Sequence, residues 1–310
     1  RAGKAIETPM QITVIIPNYN GAPVIKTLCQ SLKQQTLPRN KYEVIIVDNG
    51  STDESPALLD QCARNLPNLR TVVYTDIQSS YAARNYGASL AAGNVLAFTD
   101  IDCRPQPDWL ARIAEFATTT TGDFLLSGSV ELVPRENEFN HYEWLDYCIS
   151  LNQQKYSLTQ TGATANLTVT KNAFSAVDGF KPIISGGDRD FCRRIMKTVK
   201  PLFQYRPDIK VLHPARATRS EIREKTARRS EGHAILNFNN RDRTGQYAYL
   251  IKQTLGLVLL PNQWRTIHKT FKEKGWGIWS WRFLLIALRE GFYARRHLVF
   301  SLARLIVTRP

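Results

Sequence analysis

Four short apolar runs alternate with helical stretches in the first hundred residues of the chain. The apolar runs, which predict β-strands, are Ile12–Ile16, Val44–Val47, Thr71–Tyr74 and Val95–Phe98. The stretches between them, which predict helices, are Ala22–Gln35, Glu54–Asn65 and Ser79–Ala92. Short strands without polar alternation, separated by helices, are typical of a parallel sheet that is covered by helices on both faces. The pattern therefore predicts an α/β fold with a mainly parallel central sheet.

The alternation loosens after residue 109, and the last third of the chain is helical. Further elements are predicted at Leu125–Val133 (strand), Phe139–Leu151 (helix), Ala165–Thr170 (strand) and Asp190–Lys197 (helix), with extended chain at Phe203–Tyr205 and Val211–His213. From Arg219 onward the residues favour helices, and two amphipathic stretches end the chain, Trp276–Leu288 and His297–Val307. We therefore expect two domains, a sheet domain over residues 1–218 and a helical, basic extension over residues 219–310.

Positive charge is concentrated in the last third of the chain. The 310 residues carry a formal net charge of +14, from 41 Lys and Arg against 27 Asp and Glu. Residues 1–200 hold 20 basic and 20 acidic side chains, whereas residues 201–310 hold 21 basic and only 7 acidic ones. Such a basic segment favours contact with an anionic partner, such as lipid head groups, nucleic acid or a phosphorylated substrate.

The cysteines bear on the cellular compartment. There are five, an odd number without C-x-x-C spacing: Cys29, Cys62, Cys103, Cys148 and Cys192. This predicts five small buried thiols, without a disulfide framework or a zinc site built on thiolates, and it favours a reducing compartment. The predicted location is the cytoplasm. Because the C-terminal third is basic, peripheral attachment to the inner face of the plasma membrane stays open as a second possibility.

Polar residues follow the predicted strands, at the sheet edge where open α/β folds bind their ligands. Asp48 comes directly after Val44–Val47 and opens the sequence D-N-G-S-T-D. An Asn-Gly turn that leads into a capped helix accounts for residues 49–53. Such a turn does not require an acid at the last strand position, and Asp48 is therefore a candidate binding residue.

Asp100 and Asp102 follow the predicted strand Val95–Phe98. Because alternate residues of an extended segment point the same way, the two carboxylates should share one face. Two like charges there are costly without a cation, and carboxylate oxygens are ligands that suit Mg²⁺ or Mn²⁺. The D-x-D sequence therefore predicts a divalent metal site, with a solvated turn as the alternative.

The segment G-G-D-R-D-F, residues 186–191, places glycines before an acidic pair. Glycine lets the backbone approach a ligand closely, and Asp188, predicted to precede a helix, is the candidate general base. Asp190 is explained by the preference of acidic side chains for a helix N-terminus. His213 lies in an apolar run, where a core histidine is the alternative to a ligand.

Five motifs occur in order along the chain: V-I-I-P-N-Y-N from Val14, V-D-N-G-S-T-D from Val47, A-A-R-N-Y-G from Ala82, F-T-D-I-D from Phe98 and G-G-D-R-D-F from Gly186. Together they resemble the inverting glycosyltransferases of family 2, which have the GT-A fold. The resemblance covers about residues 10–215. It implies transfer of a sugar from a nucleoside-diphosphate sugar to a hydroxyl acceptor in glycan or polysaccharide synthesis.

The resemblance also implies which residues bind the donor. Pro17 and Tyr19 match the family's first strand end, which lines the nucleotide pocket. Asp48 matches the acid that accepts a hydrogen bond from the base, Arg84 the arginine near the base and diphosphate, and Asp100 the residue that faces the ribose. UDP- and dTDP-sugars are favoured as donors, since uracil and thymine both offer an N3–H to this acid. A guanine nucleotide, which offers an N1–H, stays open as an alternative.

The metal and the base follow from the same resemblance. Asp102 matches the residue that binds the Mn²⁺ or Mg²⁺ ion on the diphosphate, and His213 resembles a histidine that some members use as a further ligand. Asp188 matches the aspartate that acts as general base. The sequence departs from the commonest pattern at Asn49, where a second aspartate is frequent, and at Gly187, where glutamate often precedes the base.

Other classes fit the sequence less well. A Rossmann dehydrogenase would carry G-x-G-x-x-G after its first strand and a P-loop kinase G-x-x-x-x-G-K-[ST], and the sequence has neither. The Q-x-x-R-W motif of processive cellulose or chitin synthases is missing after His213. The sequence also has no run of 18 apolar residues, which a membrane-spanning helix would need. Both observations disfavour a processive synthase.

The remaining alternative is an inert GT-A-like protein whose basic C-terminal region binds an anionic surface or nucleic acid. For the enzyme, the expected partners are a nucleotide-sugar donor and a glycan or lipid-linked acceptor. An anionic membrane surface is a further candidate partner, and no nucleic acid is expected.

Overall fold

The computed structural model describes residues 12–238, 244–245, 248–250 and 281–308. In these residues eight strands form one sheet in the order β3-β2-β1-β4-β7-β6-β8-β5. The strands are β1 (Ile12–Asn18), β2 (Tyr42–Asp48), β3 (Leu69–Val73), β4 (Val95–Phe98), β5 (Arg104–Pro105), β6 (Phe124–Val133), β7 (Leu167–Thr170) and β8 (Leu202–Pro214). The four strands predicted in the first hundred residues are all present.

The half of the sheet from β3 to β4 is parallel, as the sequence predicts. β1 pairs with β2 on one side and with β4 on the other, and β3 pairs with β2. Every residue of β1 and of β4 is buried. Burial on both faces of the sheet explains why these strands are runs of apolar residues without polar alternation.

The second half of the sheet adds antiparallel pairs. β7 is antiparallel to β4 and β6, and β5 is antiparallel to β8. The two extended stretches predicted between residues 203 and 213 are one strand, β8, of 13 residues. The strand β5 was not predicted, because two residues carry no periodic signal.

Ten helices are described: α1 (Ala22–Lys33), α2 (Ser55–Asn65), α3 (Ser80–Ser89), α4 (Trp109–Thr119), α5 (His141–Ile149), α6 (Gln153–Ser157), α7 (Lys171–Ser175), α8 (Gly187–Thr198), α9 (Arg219–Phe238) and α10 (Trp281–Thr308). α3 lies very close to the parallel strands because Gly87 has no side chain. A Cβ at Gly87 would lie 2.7 Å from Cγ2 of Ile15 and 3.1 Å from Cγ2 of Val47. The glycine of A-A-R-N-Y-G therefore allows this close approach.

Two helix predictions change. α8 begins at Gly187, so Asp188 lies in the first turn of the helix and not before it. α10 is one helix of 28 residues, which joins the two stretches predicted to be separate. The arginines between those stretches do not interrupt it, since arginine is a good helix former. Trp276 and Trp279 lie outside the described residues. No helix in the described part of the chain has the length and apolar character that crossing a membrane requires.

One pair of cysteines departs from the prediction. Cys29 of α1 and Cys62 of α2 form a disulfide bond, with their Cα atoms 6.1 Å apart. The prediction of five separate thiols is wrong for this pair, whereas Cys103, Cys148 and Cys192 are buried and are not part of a disulfide bond. The pair was missed because 33 residues separate the two cysteines, and only the packing of α1 against α2 brings them together.

The chain divides into two compact units. The first comprises the chain up to Glu131, Gln153–Pro182 and Asp188–His213, and the second comprises Leu132–Asn152, Ile183–Gly187 and the chain from Pro214 onward. In the second unit, Leu145 of α5, Ile222 of α9 and Phe283 of α10 belong to one apolar core. The predicted boundary after residue 218 stays a prediction.

A buried ion pair joins α5 to α9 within the second unit. Asp146 is fully buried and accepts hydrogen bonds from Lys225 Nζ at 2.8 Å, Ser150 Oγ at 2.6 Å and the Arg216 backbone N at 3.0 Å. Burial lowers the pKa of Lys225 to about 8. The carboxylate of Asp146 is therefore the countercharge that this buried ammonium group needs.

Asp146→Asn is expected to lower the free energy of unfolding by about 3–5 kcal/mol at neutral pH, because Lys225 is left buried without its countercharge. The loss should shrink above a pH of about 8, where Lys225 releases its proton. Urea unfolding at several pH values measures both effects. Asp108→Asn is the matched control: it removes a half-exposed partner of Arg112 and should cost less than about 1 kcal/mol. Equal losses in the two variants would contradict the prediction.

Candidate functional site

The carboxyl ends of β1, β2 and β4 lie side by side. Asn18 at the end of β1 is paired in register with Asp48 at the end of β2, and Asp100 comes two residues after the end of β4. Pro17 is buried within β1, whereas Tyr19, which follows the strand, is 51% exposed. The predicted residues Pro17, Tyr19, Asp48 and Asp100 therefore lie at the sheet edge where open α/β folds bind ligands.

The carboxylate of Asp48 has a fixed orientation. Its Oδ1 accepts hydrogen bonds from Asn18 Nδ2 at 2.7 Å and Ser51 Oγ at 2.5 Å, and its Oδ2 accepts one from the Ser51 backbone N at 3.2 Å. The residue is buried. Ser51 thus orients Asp48 and does not cap the following helix, which was the alternative suggested by the turn sequence.

Asn18 is a site residue that sequence analysis did not single out. Besides holding Asp48, its Nδ2 donates to Ser51 Oγ at 3.1 Å. Its Oδ1 is a buried acceptor that has no hydrogen-bond partner among the described residues. A Cβ at Gly21 would lie 2.2 Å from this oxygen, so the glycine of P-N-Y-N-G makes room for it. An unsatisfied buried acceptor beside Asp48 is a group that a bound ligand can satisfy.

Asn49 fixes the loop that leads into α3. Its Nδ2 donates to the carbonyl oxygens of Tyr74 at 2.7 Å and Ile77 at 3.0 Å, and its Oδ1 accepts from the Ser79 backbone N at 2.8 Å. Ser79 in turn is the N-cap of α3. An aspartate, which is frequent here in the resembled family, has no N–H to donate to these two carbonyls. The departure from the family pattern therefore has a structural role in this chain.

Arg84 extends from α3 to Asp100. Its Nη2 donates to Asp100 Oδ1, and its Nη1 donates to the Ser80 carbonyl at 3.2 Å. The side chain is only 4% exposed, and its Nε is buried without a partner among the described residues. The arginine of A-A-R-N-Y-G is therefore a buried cation whose Nε–H remains a donor for a ligand.

Four potential metal ligands converge next to Arg84. Asp100, Asp102, Cys103 and His213 each offer one ligand atom, and these atoms all lie within 4.8 Å of one another. His213 Nε2 is 3.5 Å from Asp102 Oδ1, and its side chain is 3% exposed. The residues predicted to bind the metal are thus brought together, and His213 faces the carboxylates.

A turn and a short strand pair assemble this cluster. The Cys103 N–H donates to the Asp100 carbonyl at 3.0 Å, so the two aspartates meet through a turn. The expectation that strand alternation would align them is wrong, although they do lie together. Pairing of Arg104 with Leu212 between β5 and β8 brings His213 beside them.

The donor set fits a divalent cation with a preference for oxygen and nitrogen ligands. Carboxylate groups suit Mg²⁺ and Mn²⁺, and imidazole is a ligand for borderline metals. Cys103 is a poor ligand, because burial and then the charges of Asp100 and Asp102 raise the pKa of its thiol, whereas metals bind the thiolate. Its Sγ is 3.9 Å from the Ala165 carbonyl, to which it donates.

Asp188 belongs to the same site through its electrostatic interactions. Its Oδ1 accepts a hydrogen bond from the Arg189 backbone N at 2.8 Å. Burial raises the pKa of Asp188, while the Arg189 N–H and the charge of Arg84 act against that rise and Asp100 adds to it. A carboxylate with a raised pKa is a stronger base, which is the property that proton abstraction requires.

Tyr81 is a second site residue that sequence analysis missed. Its buried ring lies 5.6 Å from the Arg84 guanidinium carbon and 5.6 Å from the ring of Phe180. Burial and then the charge of Asp188 raise the pKa of Tyr81, so the phenol stays protonated beside the carboxylate. No sequence signal distinguishes it, since an aromatic residue in a helix is most often a core residue.

Asp190 has a structural role, in agreement with its interpretation as a helix-terminal charge. Its carboxylate accepts a hydrogen bond from Arg194 Nε at 2.7 Å and lies 3.6 Å from Lys181 Nζ. Arg194 also donates to the carbonyl oxygens of Val177 and Gly179. The two aspartates of α8 therefore differ: Asp190 forms ion pairs with Arg194 and Lys181, whereas the pKa of Asp188 is influenced by the charges of Arg84 and Asp100.

Comparison with known proteins identifies the family. The family model described as Glycosyl transferase family 2 matches residues 13–177. The chain is 33% identical over 206 residues to the glycosyltransferase AglE of Haloferax volcanii. This alignment covers 66% of this chain and 67% of that protein. Two further relatives, an uncharacterized glycosyltransferase of Nostoc sp. and the putative glycosyltransferase EpsH of Bacillus subtilis, are matched over 34% and 33% of their own length.

Two solved structures share the fold. A mannosyltransferase of Pyrobaculum calidifontis, in complex with GDP-Man and Mn²⁺, has a TM-score of 0.60 at 20% identity and covers 97% of this chain and 88% of that one. S. aureus TarS residues 1–349, in complex with UDP-GlcNAc, has a TM-score of 0.55 at 18% identity and covers 94% of this chain and 89% of that one. At these identities the likeness concerns the fold alone.

The fold and the family agree with the sequence-based expectations. The mixed sheet with flanking helices matches GT-A glycosyltransferase structures, which confirms the predicted fold class. The family match spans Asp48 and Asp100 at the strand ends and Arg84 on α3. The chain therefore belongs to glycosyltransferase family 2, whose members use nucleotide sugars in glycan synthesis.

Proposed function

We propose that this chain transfers a sugar, with inversion, from a UDP- or dTDP-sugar to a hydroxyl group of a glycan or lipid-linked acceptor. Asp188 acts as the general base, and Asp102 and His213 hold a divalent ion. The donor is bound by five residues: Pro17, Tyr19, Asp48, Arg84 and Asp100. The observation that carries the proposal is the convergence of the Asp100, Asp102 and His213 ligand atoms within 4.8 Å, beside the buried Arg84.

The surroundings of Asp48 support recognition of a base with an imide N–H. The hydrogen bonds from Asn18 and Ser51 fix the carboxylate and leave acceptor capacity on Oδ2. Tyr19, which follows the neighbouring strand β1, is half exposed and offers a flat ring to the base. Pro17, buried in β1 two residues before Tyr19, is the proposed apolar lining on the β1 side of the base.

Arg84 and the carboxylate cluster support binding of the diphosphate. The Nε of Arg84 can donate to a phosphate oxygen, and its bond to Asp100 fixes the guanidinium group. Asp100 turns its other oxygen to the ribose. When a divalent ion is bound by Asp102 and His213, it supplies the positive charge that stabilises a leaving diphosphate.

Asp188 supplies the base for a single displacement. It takes the proton of the acceptor hydroxyl while that oxygen bonds to the anomeric carbon. The bond from this carbon to the diphosphate oxygen breaks at the same time, and its electron pair leaves with the diphosphate. Because no enzyme nucleophile takes part, the configuration at the anomeric carbon inverts. The raised pKa of Asp188 supports this role.

A panel of nucleotide sugars tests the proposal. UDP-, dTDP- and GDP-sugars are compared for a Mn²⁺-dependent rise in melting temperature and for slow hydrolysis, and the anomeric configuration of the transfer product is determined by NMR. We expect the largest metal-dependent effect with a UDP- or dTDP-sugar and an inverted product. The inert alternative predicts salt-sensitive binding to nucleic acid without metal-dependent hydrolysis. A retained configuration would exclude the single displacement.

The substitution Asn49→Asp is expected to lower the free energy of unfolding by about 1–3 kcal/mol and to weaken donor binding, because two carbonyl oxygens lose their donor. Urea unfolding and titration with UDP measure the two effects. Asn65→Asp is the matched control, since Asn65 on α2 is exposed and donates to a single carbonyl, that of Gln61. It should change the stability by no more than about 0.5 kcal/mol. An equally small effect at Asn49 would show that the loop does not depend on it.

A further inference from the structure

The outward face of α10 alternates large apolar side chains with arginines. Six exposed residues recur every three or four positions and so share one face of the helix: Leu285, Arg289, Phe292, Arg296, Phe300 and Arg304. Leu285 and Phe292 are each 55% exposed, and Phe300 is 60% exposed. Three large apolar side chains, each more than half exposed on one helix face, make this face a candidate contact surface.

The opposite face of α10 is already packed within the second unit. Phe283 and Ala287 belong to the buried cluster with Leu145 of α5, and Leu302 is buried against Ala234 of α9. The outward face is therefore not the side that stabilises the helix. It can meet a partner while the other side keeps α10 in place.

The charge of α10 is strongly positive on this face. The helix has five arginines and a single acidic residue, Glu290. Glu290 is 4% exposed and is bound by Arg223 Nε at 2.8 Å, Arg289 Nε at 2.8 Å and Arg219 Nε at 3.3 Å. No acidic side chain of α10 therefore lies on its outward face, and a partner of complementary charge must be anionic.

We propose that the outward face of α10 docks on a membrane surface that contains anionic lipids, with the helix lying parallel to the plane of the head groups. The apolar side chains insert at the boundary of the acyl region, while Arg296 and Arg304 on the same face reach the phosphates through their apolar stems. The Arg296 guanidinium carbon already lies 5.4 Å from the ring centroid of Phe300. This alternation along one line suits an interface where an apolar and an anionic layer meet.

Two other partners fit the face less well. A second copy of this chain would bring one row of arginines against another, and like charges across an interface are unfavourable. A nucleic acid would neutralise the arginines but would leave the leucine and phenylalanine side chains without an apolar environment. The docking is independent of the proposed donor site, which lies in the first unit.

Vesicle flotation of the full chain tests the proposal. Vesicles of phosphatidylcholine alone are compared with vesicles that also contain phosphatidylglycerol, at low and at high salt. We expect the chain to float with the anionic vesicles, to lose affinity as salt screens the charges, and to stay unbound with neutral ones. Equal binding to the two kinds of vesicle, or binding to neither, would overturn the proposal.

Paired substitutions separate the apolar and the charged contributions. Phe292→Ser with Phe300→Ser should weaken vesicle binding by about tenfold or more, and Arg296→Gln should weaken it by about fivefold, which corresponds to about 1 kcal/mol for each basic residue. The control is Leu158→Ser with Leu202→Ser, which removes two exposed apolar side chains, 82% and 51% exposed, from the first unit. It should float like the wild type.

The variants also distinguish a membrane from an acidic protein. Near-ultraviolet circular dichroism establishes whether each variant is folded. If the double serine variant does not fold, the loss of vesicle binding by Arg296→Gln still tests the proposal. Flotation of the folded serine variant at the wild-type level would overturn the proposal. A chain that does not float but binds polyglutamate tightly, with no change on serine substitution, would also overturn the proposal. The face would then be a site for acidic protein segments.

Discussion

Replacing Asp188 by asparagine is expected to lower the rate of sugar transfer by about 10²–10⁴-fold, the usual contribution of a positioned general base. Donor binding should stay close to that of the wild type. The amide has nearly the shape of the carboxylate and still accepts the Arg189 N–H, so the first turn of α8 is preserved. Initial rates of transfer and the Kd of the donor, measured on the same preparation, separate the two effects.

Asp190→Asn is the matched control, because the two aspartates lie in the same turn and differ in their partners. Asp190 is bound to Arg194 and Lys181, so its loss should reduce stability and leave the rate of transfer by folded protein near the wild-type value. Normal transfer by Asp188→Asn, together with lost transfer by folded Asp190→Asn, would assign the base to Asp190.

The same carboxylate predicts a pH dependence. Burial raises the pKa of Asp188, and only the deprotonated group accepts the proton of the acceptor. The rate of transfer should therefore increase with pH through a pKa above about 3.9, the value of an unperturbed aspartate. The acid limb of kcat/KM measures this pKa. The residual activity of Asp188→Asn should lack that limb, and its persistence would point to a different titrating group.

The second large effect is expected at the metal site. Asp102→Asn should abolish the Mn²⁺-dependent part of donor binding, since a neutral amide replaces the charged member of the proposed pair and only His213 remains. The fold should persist, because the substitution removes one of two neighbouring negative charges, and the Asp102 side chain is 23% exposed. Electron paramagnetic resonance of Mn²⁺ with the protein alone, and the melting temperature with UDP in the presence and absence of Mn²⁺, measure the loss.

Cys103→Ala is the control within the same cluster. The thiol donates to the Ala165 carbonyl and has a raised pKa, so its removal should leave Mn²⁺ binding unchanged. Unaltered Mn²⁺-dependent affinity in Asp102→Asn would refute the assignment of this ligand. Loss of Mn²⁺ binding in folded Cys103→Ala would make the thiol a ligand.

The polar groups next to Asp48 were only partly predictable. The turn sequence D-N-G-S-T-D does not require an acid at position 48, which was enough to make Asp48 a candidate. It did not indicate that Asn18 would hold the carboxylate, because Asn18 comes from a strand 30 residues away and the bond between them exists only in the paired sheet. The role of Asn49 was hidden for the same reason, since its carbonyl partners follow β3.

The sequence by itself determined the parallel half of the sheet, the family, and the placement of Asp48 at the end of β2, of Arg84 on α3 and of Asp100 and Asp102 after β4. Because these strands are buried on both faces, each one is a continuous apolar run in the sequence. The end of each strand is then recognised from the polar residues that follow the run.

Only the tertiary structure decided how the residues of the site are brought together. The turn that brings Asp100 and Asp102 together, the pairing of β5 with β8 that adds His213, the burial of Tyr81 beside Asp188 and the Cys29–Cys62 bond all join segments that are distant in sequence or too short to be periodic. Such contacts leave no repeating pattern along the chain, because they depend on which elements become neighbours when the sheet is complete.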